Sequence, residues 1–229
     1  MGDAVLPGNP PVAITLRRSG RARRISLRVS GLDGRVTLTL PPGVGADEAL
    51  RFARSREDWI RGHLARRAAP VAVAPGAVLP VEGRGRRVVA GAVRSPVLQD
   101  AQLILPADRR SGAAAAAWVK ELARQRLTAA VSRHAARLGR APGRITLRDP
   151  RSRWGSCSSA GNVMFSWRLV LAPPEVLDYV AAHEVAHLAH MDHSPAFWAA
   201  VDRLYPGYAD PRGWLRREGA GLHRWRFDD

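Results

Sequence analysis

The run His183-Glu184-Val185-Ala186-His187 leads straight into Leu188-Ala189-His190-Met191-Asp192-His193, so four of the chain's seven histidines fall inside eleven residues. Histidines four apart on a helix project from one face as neighbours, so His183 and His187 can reach one metal ion together. Glu184 is rotated by about 100° from His183, which aims its carboxylate at a ligand of the ion rather than at the ion. Two neutral nitrogens on a metal, with a base beside its water, are what zinc-assisted hydrolysis requires. In that chemistry zinc lowers the pKa of water to near neutrality, Glu184 takes the proton, and hydroxide attacks a carbonyl or phosphoryl centre.

A catalytic zinc takes three protein ligands and keeps one position open, so a third ligand is needed. On a continued helix His190 lies near the His183 stripe but about 10 Å further along the axis. Zinc–nitrogen distances are only about 2.0–2.1 Å, which a regular helix cannot reconcile with that offset. His193 is therefore the expected third ligand. Ser194-Pro195 has the N-cap and first-position residues of a new helix, leaving His193 in a turn from which it can fold back over the ion. The spacing also matches the third-histidine spacing of metzincins, but His190 stands where that pattern has a glycine and no Met-turn follows. His190 is expected at the helix end or behind the ligands, and Asp192 is a candidate for orienting an imidazole. A developing oxyanion needs a second electrophile; Arg151 and Arg153 are the candidates, because a guanidinium suits phosphate and carboxylate alike. Trp154, Cys157, Phe197 and Trp198 read as packing residues, the last two on the apolar side of the site.

These residues need elements to hold them. A helix is expected over Glu175–His190, starting after Pro173-Pro174 and apolar at Val176, Leu177, Val180 and Leu188. Ile145–Arg148 and Val163–Leu171 read as strands around a Gly/Ser-rich turn. Ser111-Gly112 opens a long helix through Trp118, Leu122, Leu127 and Val131 to Gly139. Further upstream, Ile25, Leu27 and Val29 alternate, as do Val36, Leu38 and Leu40, which predicts a hairpin about Gly31-Leu32-Asp33-Gly34. Asp47 caps a helix to about Arg67, with Leu50, Ala53, Ile60 and Leu64 on one face. Val78–Val81 and Arg86–Ala90 flank Glu82-Gly83-Arg84-Gly85 as a second hairpin, and a short strand follows near Val97–Leu105. The expected class is α+β: a tail at 1–20, a β-rich part with one helix at 21–110, and a helical catalytic part at 111–229 packed with it. A boundary near residue 110 leaves open that both parts share one core.

At 229 residues the chain can bury a sizeable core. Its one cysteine, Cys157, excludes an intrachain disulfide and a thiolate zinc cluster. The N-terminus lacks the basic segment and apolar core of a signal peptide, and Leu6 fails the myristoylation pattern. No apolar run approaches the roughly 18 residues of a membrane span, so a cytoplasmic chain with no membrane partner is expected. The net charge is +16, almost all of it arginine, since Lys120 is the only lysine. Such a field draws phosphate-bearing partners, nucleic acid or nucleotide, in a salt-dependent way. A base-composition bias accounts for Arg over Lys but not for the shortage of acids. No zinc-ribbon cysteines or RNA-binding signature point to specific recognition.

The run Arg151-Ser152-Arg153-Trp154-Gly155-Ser156-Cys157-Ser158, with Trp167-Arg168-Leu169, Ala172-Pro173, Tyr179-Val180 and His183–Trp198, resembles the YgjP-like metallopeptidase family, relatives of the SprT-like zincins. The likeness is dense from about Arg148 to Trp198 and continues back to about Ile25, so one family domain over about 25–220 is a further reading of the organisation. R-x-R-W-G-S-C paired with HExxH and D/N-H-S-x-x-F-W is far more specific than HExxH alone. Ser166 departs from the pattern, standing where the family has an asparagine. The resemblance implies a zincin-like catalytic part, Zn²⁺ held by His183, His187 and His193, Glu184 as catalytic base, and a peptide or protein substrate. It also implies two alternatives. One is a nucleotide pyrophosphatase acting on UTP or related triphosphates, with Mg²⁺ on the phosphates as a candidate cofactor. The other is a nucleic-acid-associated SprT-like protease.

Overall fold

Val12, Ile14 and Leu16 alternate with exposed or half-buried neighbours, as Val36, Leu38 and Leu40 do, and the two strands lie side by side in parallel. The computed structural model describes residues 2–31, 33–65, 69–107 and 111–227. The chain divides into two compact units, Met1–Ala69 and Pro70–Asp229. The first unit holds β1 (Gly2–Leu6), β2 (Val12–Arg18), β3 (Ser26–Val29) and β4 (Val36–Leu40), in the order β1-β2-β4-β3. Residues 1–20, expected as a tail, thus carry two strands, which the alternation in β2 signals. β3 and β4 form the expected antiparallel hairpin; Leu32 of its turn lies outside the described residues.

The single helix expected from Asp47 is instead two, α1 (Ala46–Arg54) and α2 (Glu57–Ala65). At the break the Ser55 hydroxyl donates to the Phe52 carbonyl at 2.8 Å, the local side-chain bond by which serine competes with helix continuation. The expected end near Arg67 lies outside the described residues. Ala49, Ala53 and Ile60 pack with Ile14, Leu38 and Leu40 in one core, so the helices cover one face of the sheet.

The second unit begins with β5 (Val71–Ala72), β6 (Val78–Val81), β7 (Arg84–Gly91), β8 (Val97–Gln99) and β9 (Gln102–Pro106). The last four form a sheet in the order β6-β7-β9-β8. The expected strand near Val97–Leu105 is a β8–β9 hairpin, turned at Asp100 with φ +50°. α3 (Ser111–Leu138) follows as expected, ended by Gly139 at φ +71°. Its Val119 and Leu127 share one core with Leu79, Val88 and Leu103 of the preceding sheet, so the division between units falls at residue 70 and not near 110.

β10 (Ile145–Arg148), β11 (Gly155–Cys157) and β12 (Val163–Ser166) form a sheet in the order β10-β12-β11. The strand expected to run to Leu171 ends at Ser166, and Trp167–Leu171 coil into a 3₁₀ helix. All five of its residues are buried, Arg168 included, although Phe165-Ser166-Trp167-Arg168-Leu169 alternates apolar with polar residues as a strand does. Arg168 is buried there. It grips Asp149 with Nε and Nη2, at 2.7 and 2.9 Å, and donates from Nη1 to the carbonyls of Leu222 and Trp225 at 3.1 and 3.0 Å. It thereby ties the loop after β10 to the C-terminal segment. That segment comprises α6 (Ala209–Glu218), a 3₁₀ helix and β13 (Trp225–Arg226), which pairs with β5; it comes after α4 (Pro174–Ala186) and α5 (Pro195–Leu204). No described helix is long and apolar enough to cross a membrane.

α4, the helix of the HExxH motif, starts at Pro174 and buries Val176, Leu177, Val180, Ala181 and Val185. Asp178 pins it to α3: Oδ1 accepts from His134 Nε2 at 2.7 Å and from Arg133 Nη2 at 2.5 Å. Burial pushes this carboxyl up, but the His134 hydrogen bond and the His134 and Arg133 charges outweigh it and hold the group below its ordinary value. A depressed carboxyl stabilises the fold above its unfolded value of about 3.9, and that contribution is lost as pH falls through the folded-state value. Asp178→Asn is therefore expected to cost about 1–2 kcal/mol at neutral pH. In urea denaturation the gap between wild type and variant should shrink below about pH 4. A gap independent of pH would contradict the pairing.

Candidate metal centre

α4 stops at Ala186, four residues short of its expected end, with His187 as its C-cap. The His190 amide still donates to the Ala186 carbonyl at 3.1 Å, and His187 Nδ1 donates to the His190 carbonyl at 2.9 Å. The chain then reverses. Asp192 Oδ1 accepts from the Ser194 amide at 3.3 Å, and Ser194 Oγ accepts from the Phe197 amide at 3.4 Å to cap α5. This tight turn brings His193 back over the helix, with its Nε2 3.3 Å from His183 Nε2.

One nitrogen from each of His183, His187 and His193 lies within 4.8 Å of the other two. Nitrogens bound to a tetrahedral zinc stand roughly 3.3–3.4 Å apart at ordinary bond lengths, which the 3.3 Å His183–His193 pair matches. His187 commits Nδ1 to a carbonyl, which leaves Nε2 as the atom that could take a metal, the usual way a ligating ring is oriented. The donor set is three imidazoles with no carboxylate among them, which suits zinc and not Mg²⁺, an ion of oxygen ligands.

Phe197, fully buried in the first turn of α5, is the common neighbour of the three rings. Its centroid lies 4.9, 4.4 and 4.8 Å from those of His183, His187 and His193. Trp198 stands 5.7 and 5.8 Å from His183 and His193, and Tyr179, one turn before His183, meets it edge-on at 6.0 Å. Burial first, then the His187, His193 and Arg212 neighbours, push the His183 pKa down to about 3, which keeps it in the neutral form that ligates. Burial also lowers that of His187, against the pull of the His190 carbonyl.

Glu184 is 5% exposed and faces a cleft of about 530 Å³ bounded by Ser152, Arg153, Gly155, Cys157 and the three histidines. Burial pushes its pKa up to about 8, against the charge of Arg153. The carboxylate is seated on Gly155 of β11. A Cβ there would lie 2.5 Å from Glu184 Oε1 and 2.6 Å from Cγ, closer than carbon atoms approach. β11 supplies this seat as the outer strand of its sheet.

Of the sequence candidates, His183, Glu184, His187, His193 and Arg153 come together around the cleft. Arg151 is not among the lining residues; its charge bears on His223. His190 contributes its backbone carbonyl rather than its ring, and Asp192 bonds the turn amide rather than an imidazole. Trp154 packs on the core beside His223, at 5.2 Å. Cys157 packs on the core and lines the cleft, where burial and the Glu184 charge push its thiol pKa up. Gly155, Tyr179 and Arg212 carry no expectation from the sequence. Tyr179 was legible as the residue one helical turn before His183; Gly155 and Arg212 acquire their neighbours only through tertiary packing.

The family model described as "YgjP-like, metallopeptidase domain" matches residues 23–218. Among solved structures, the metallopeptidase zymogen of Pyrococcus abyssi abylysin aligns over 40% of this chain and 95% of its own, at 21% identity and a TM-score of 0.37. No curated protein matches.

Gly155→Ala is expected to push the Glu184 carboxylate from its seat. A shift of that kind costs a hydrolytic rate roughly 10- to 100-fold. Zinc content, measured in parallel, should be unchanged because the three atoms nearest the added methyl all belong to Glu184. An undiminished rate would show that the seat is not needed.

Proposed function

The chain belongs to the YgjP-like metallopeptidase family, and from that premise we propose that it is a zinc-dependent peptidase, with His183, His187 and His193 holding one zinc and Glu184 as the base. The observation that carries the reading is the convergence of three imidazoles beside a buried glutamate. When bound, zinc supplies positive charge and Lewis acidity: it acidifies water, polarises a carbonyl and draws Glu184 back toward its ionised form.

The chain's own residues do the rest. Glu184 accepts a proton from the attacking water at a carboxylate oxygen and delivers it to the departing amine. Gly155 and the burial around Glu184 hold that carboxylate in one place. The Arg153 guanidinium, which lines the same cleft, is the donor for the oxyanion or for a substrate carboxylate. β11 is an edge strand and its Gly155, Ser156 and Cys157 line the cleft, so an extended peptide can hydrogen-bond to it as an added strand. That edge favours a peptide over a nucleotide. Arg153 is the one residue of the cleft that favours the nucleotide pyrophosphatase reading. We also assign the chain to a reducing, cytoplasmic setting, because its one thiol asks for no oxidising compartment.

Glu184→Gln removes the base and keeps the three ligands. Cleavage of an unfolded protein should fall by at least about 100-fold with zinc still bound. Undiminished cleavage would sink the mechanism. Pyrophosphate release from UTP by wild type, with no peptide cut, would move the reading to the nucleotide.

A further inference from the structure

One face of the first unit's sheet is covered by α1 and α2; the other is open and carries only small, polar and basic side chains at its centre. In register across β2, β4 and β3, Thr15 stands beside Thr37 and Arg28, and Arg17 beside Thr39 and Ser26. Their inward-facing neighbours Ile14, Leu16, Val36 and Leu38 are buried. The connection from β2 to β3 crosses the end of β4, where the Ser19 amide donates to the Leu40 carbonyl at 3.0 Å, and it carries Arg21, Arg23 and Arg24. Residues 17–28 thus hold six arginines and no acid. Arg17, Arg21, Arg23, Arg24 and Arg28 are exposed, and among the described residues none of them forms an ion pair. Asp3, on the outermost strand, is the acid nearest in register, opposite Thr15. Nothing in the metal centre uses this charge.

We propose that this open sheet face and the arginine-rich connection above it form a docking surface for the sugar–phosphate backbone of double-stranded DNA. Guanidinium and hydroxyl groups are the side chains that contact phosphate, and contacts of this kind fix position without reading sequence. Arg17 and Arg28 stand on strands two apart, about 10 Å, so the surface meets several phosphates at once. No aromatic ring projects from the registered positions, so unpaired bases find nothing to stack on, which separates the surface from single-strand binders.

The test is fluorescence anisotropy of the full-length protein with a labelled random-sequence DNA duplex across a salt series. Wild type should bind with a steep salt dependence. Arg17→Glu/Arg23→Glu/Arg24→Glu should weaken binding at least roughly tenfold and flatten the log–log salt slope by about 2.7, at about 0.9 for each phosphate no longer neutralised. Arg124→Glu/Arg140→Glu/Arg203→Glu, an equal charge change on exposed positions of the second unit, should stay within about threefold of wild type, because none of the three belongs to the proposed surface. Thermal melts check that each variant is folded. Equal losses in both triple variants would reduce the effect to net charge and overturn the proposal. So would wild-type binding by the first variant, or tighter binding to single-stranded DNA, duplex RNA or anionic vesicles than to the DNA duplex. Peptide cleavage without DNA should be the same in both variants and wild type, so failure here is distinct from failure of the peptidase reading.

Discussion

A straight helix can offer one ion two imidazoles four residues apart and no third, because the next residue on that stripe is about 10 Å away. The proposed metal centre therefore depends on where α4 stops. It stops at Ala186, and the few residues that follow are almost entirely occupied with turning: the His190 amide closes the helix, its carbonyl holds the His187 ring, and Asp192 and Ser194 cap the reversal. The turn delivers His193 to 3.3 Å from His183. Had the helix run on through His190, the same four histidines would be spread along its surface with no common focus.

The turn places the third ring, and packing makes the placement hold. α4 is buried on most of its surface, so it cannot slide or rotate without opening the core. Asp178 fastens it to α3, and Phe197 fills the space beneath the three imidazoles at 4.4–4.9 Å. The same burial sets the chemistry. It keeps His183 neutral, the form able to bind a metal, and raises Glu184, so that the carboxylate's ionisation is governed by whatever charge shares the site. A missing side chain matters as much as those present: β11 can lie against Glu184 only because position 155 carries no Cβ.

Much of the centre was legible in the chain because its signals are local. HExxH spacing, the Ser194-Pro195 helix start and the length limit on a helix together pick out His193 without any tertiary information. The 3.6-residue period and the Gly139 terminus gave α3 nearly to the residue. What escaped was set by packing. The 3₁₀ turn at Trp167–Leu171 is buried throughout, yet Ser166 and Arg168 alternate with Phe165, Trp167 and Leu169, so it read as strand. The break at Ser55 follows from one hydroxyl bonding back to a carbonyl, a choice invisible to periodicity. Arg168 stands in the Trp167-Arg168-Leu169 motif, but nothing local points to the C-terminal segment it grips. Arg151 and Arg153 look equivalent in sequence, yet only Arg153 lines the cleft.

On this reading the reversal after α4 makes His193, and not His190, the third metal ligand. Zinc affinity by competition with a coloured chelator tests it on three proteins: wild type, His193→Ala and His190→Ala. Wild type should hold one zinc per chain, and His193→Ala should lose at least about 100-fold in affinity, since one of three ligands is gone. His190→Ala should bind as wild type does, because that residue contributes a backbone carbonyl and keeps it. A His193→Ala protein that holds zinc as wild type does, or a His190→Ala protein that loses it, would contradict the assignment.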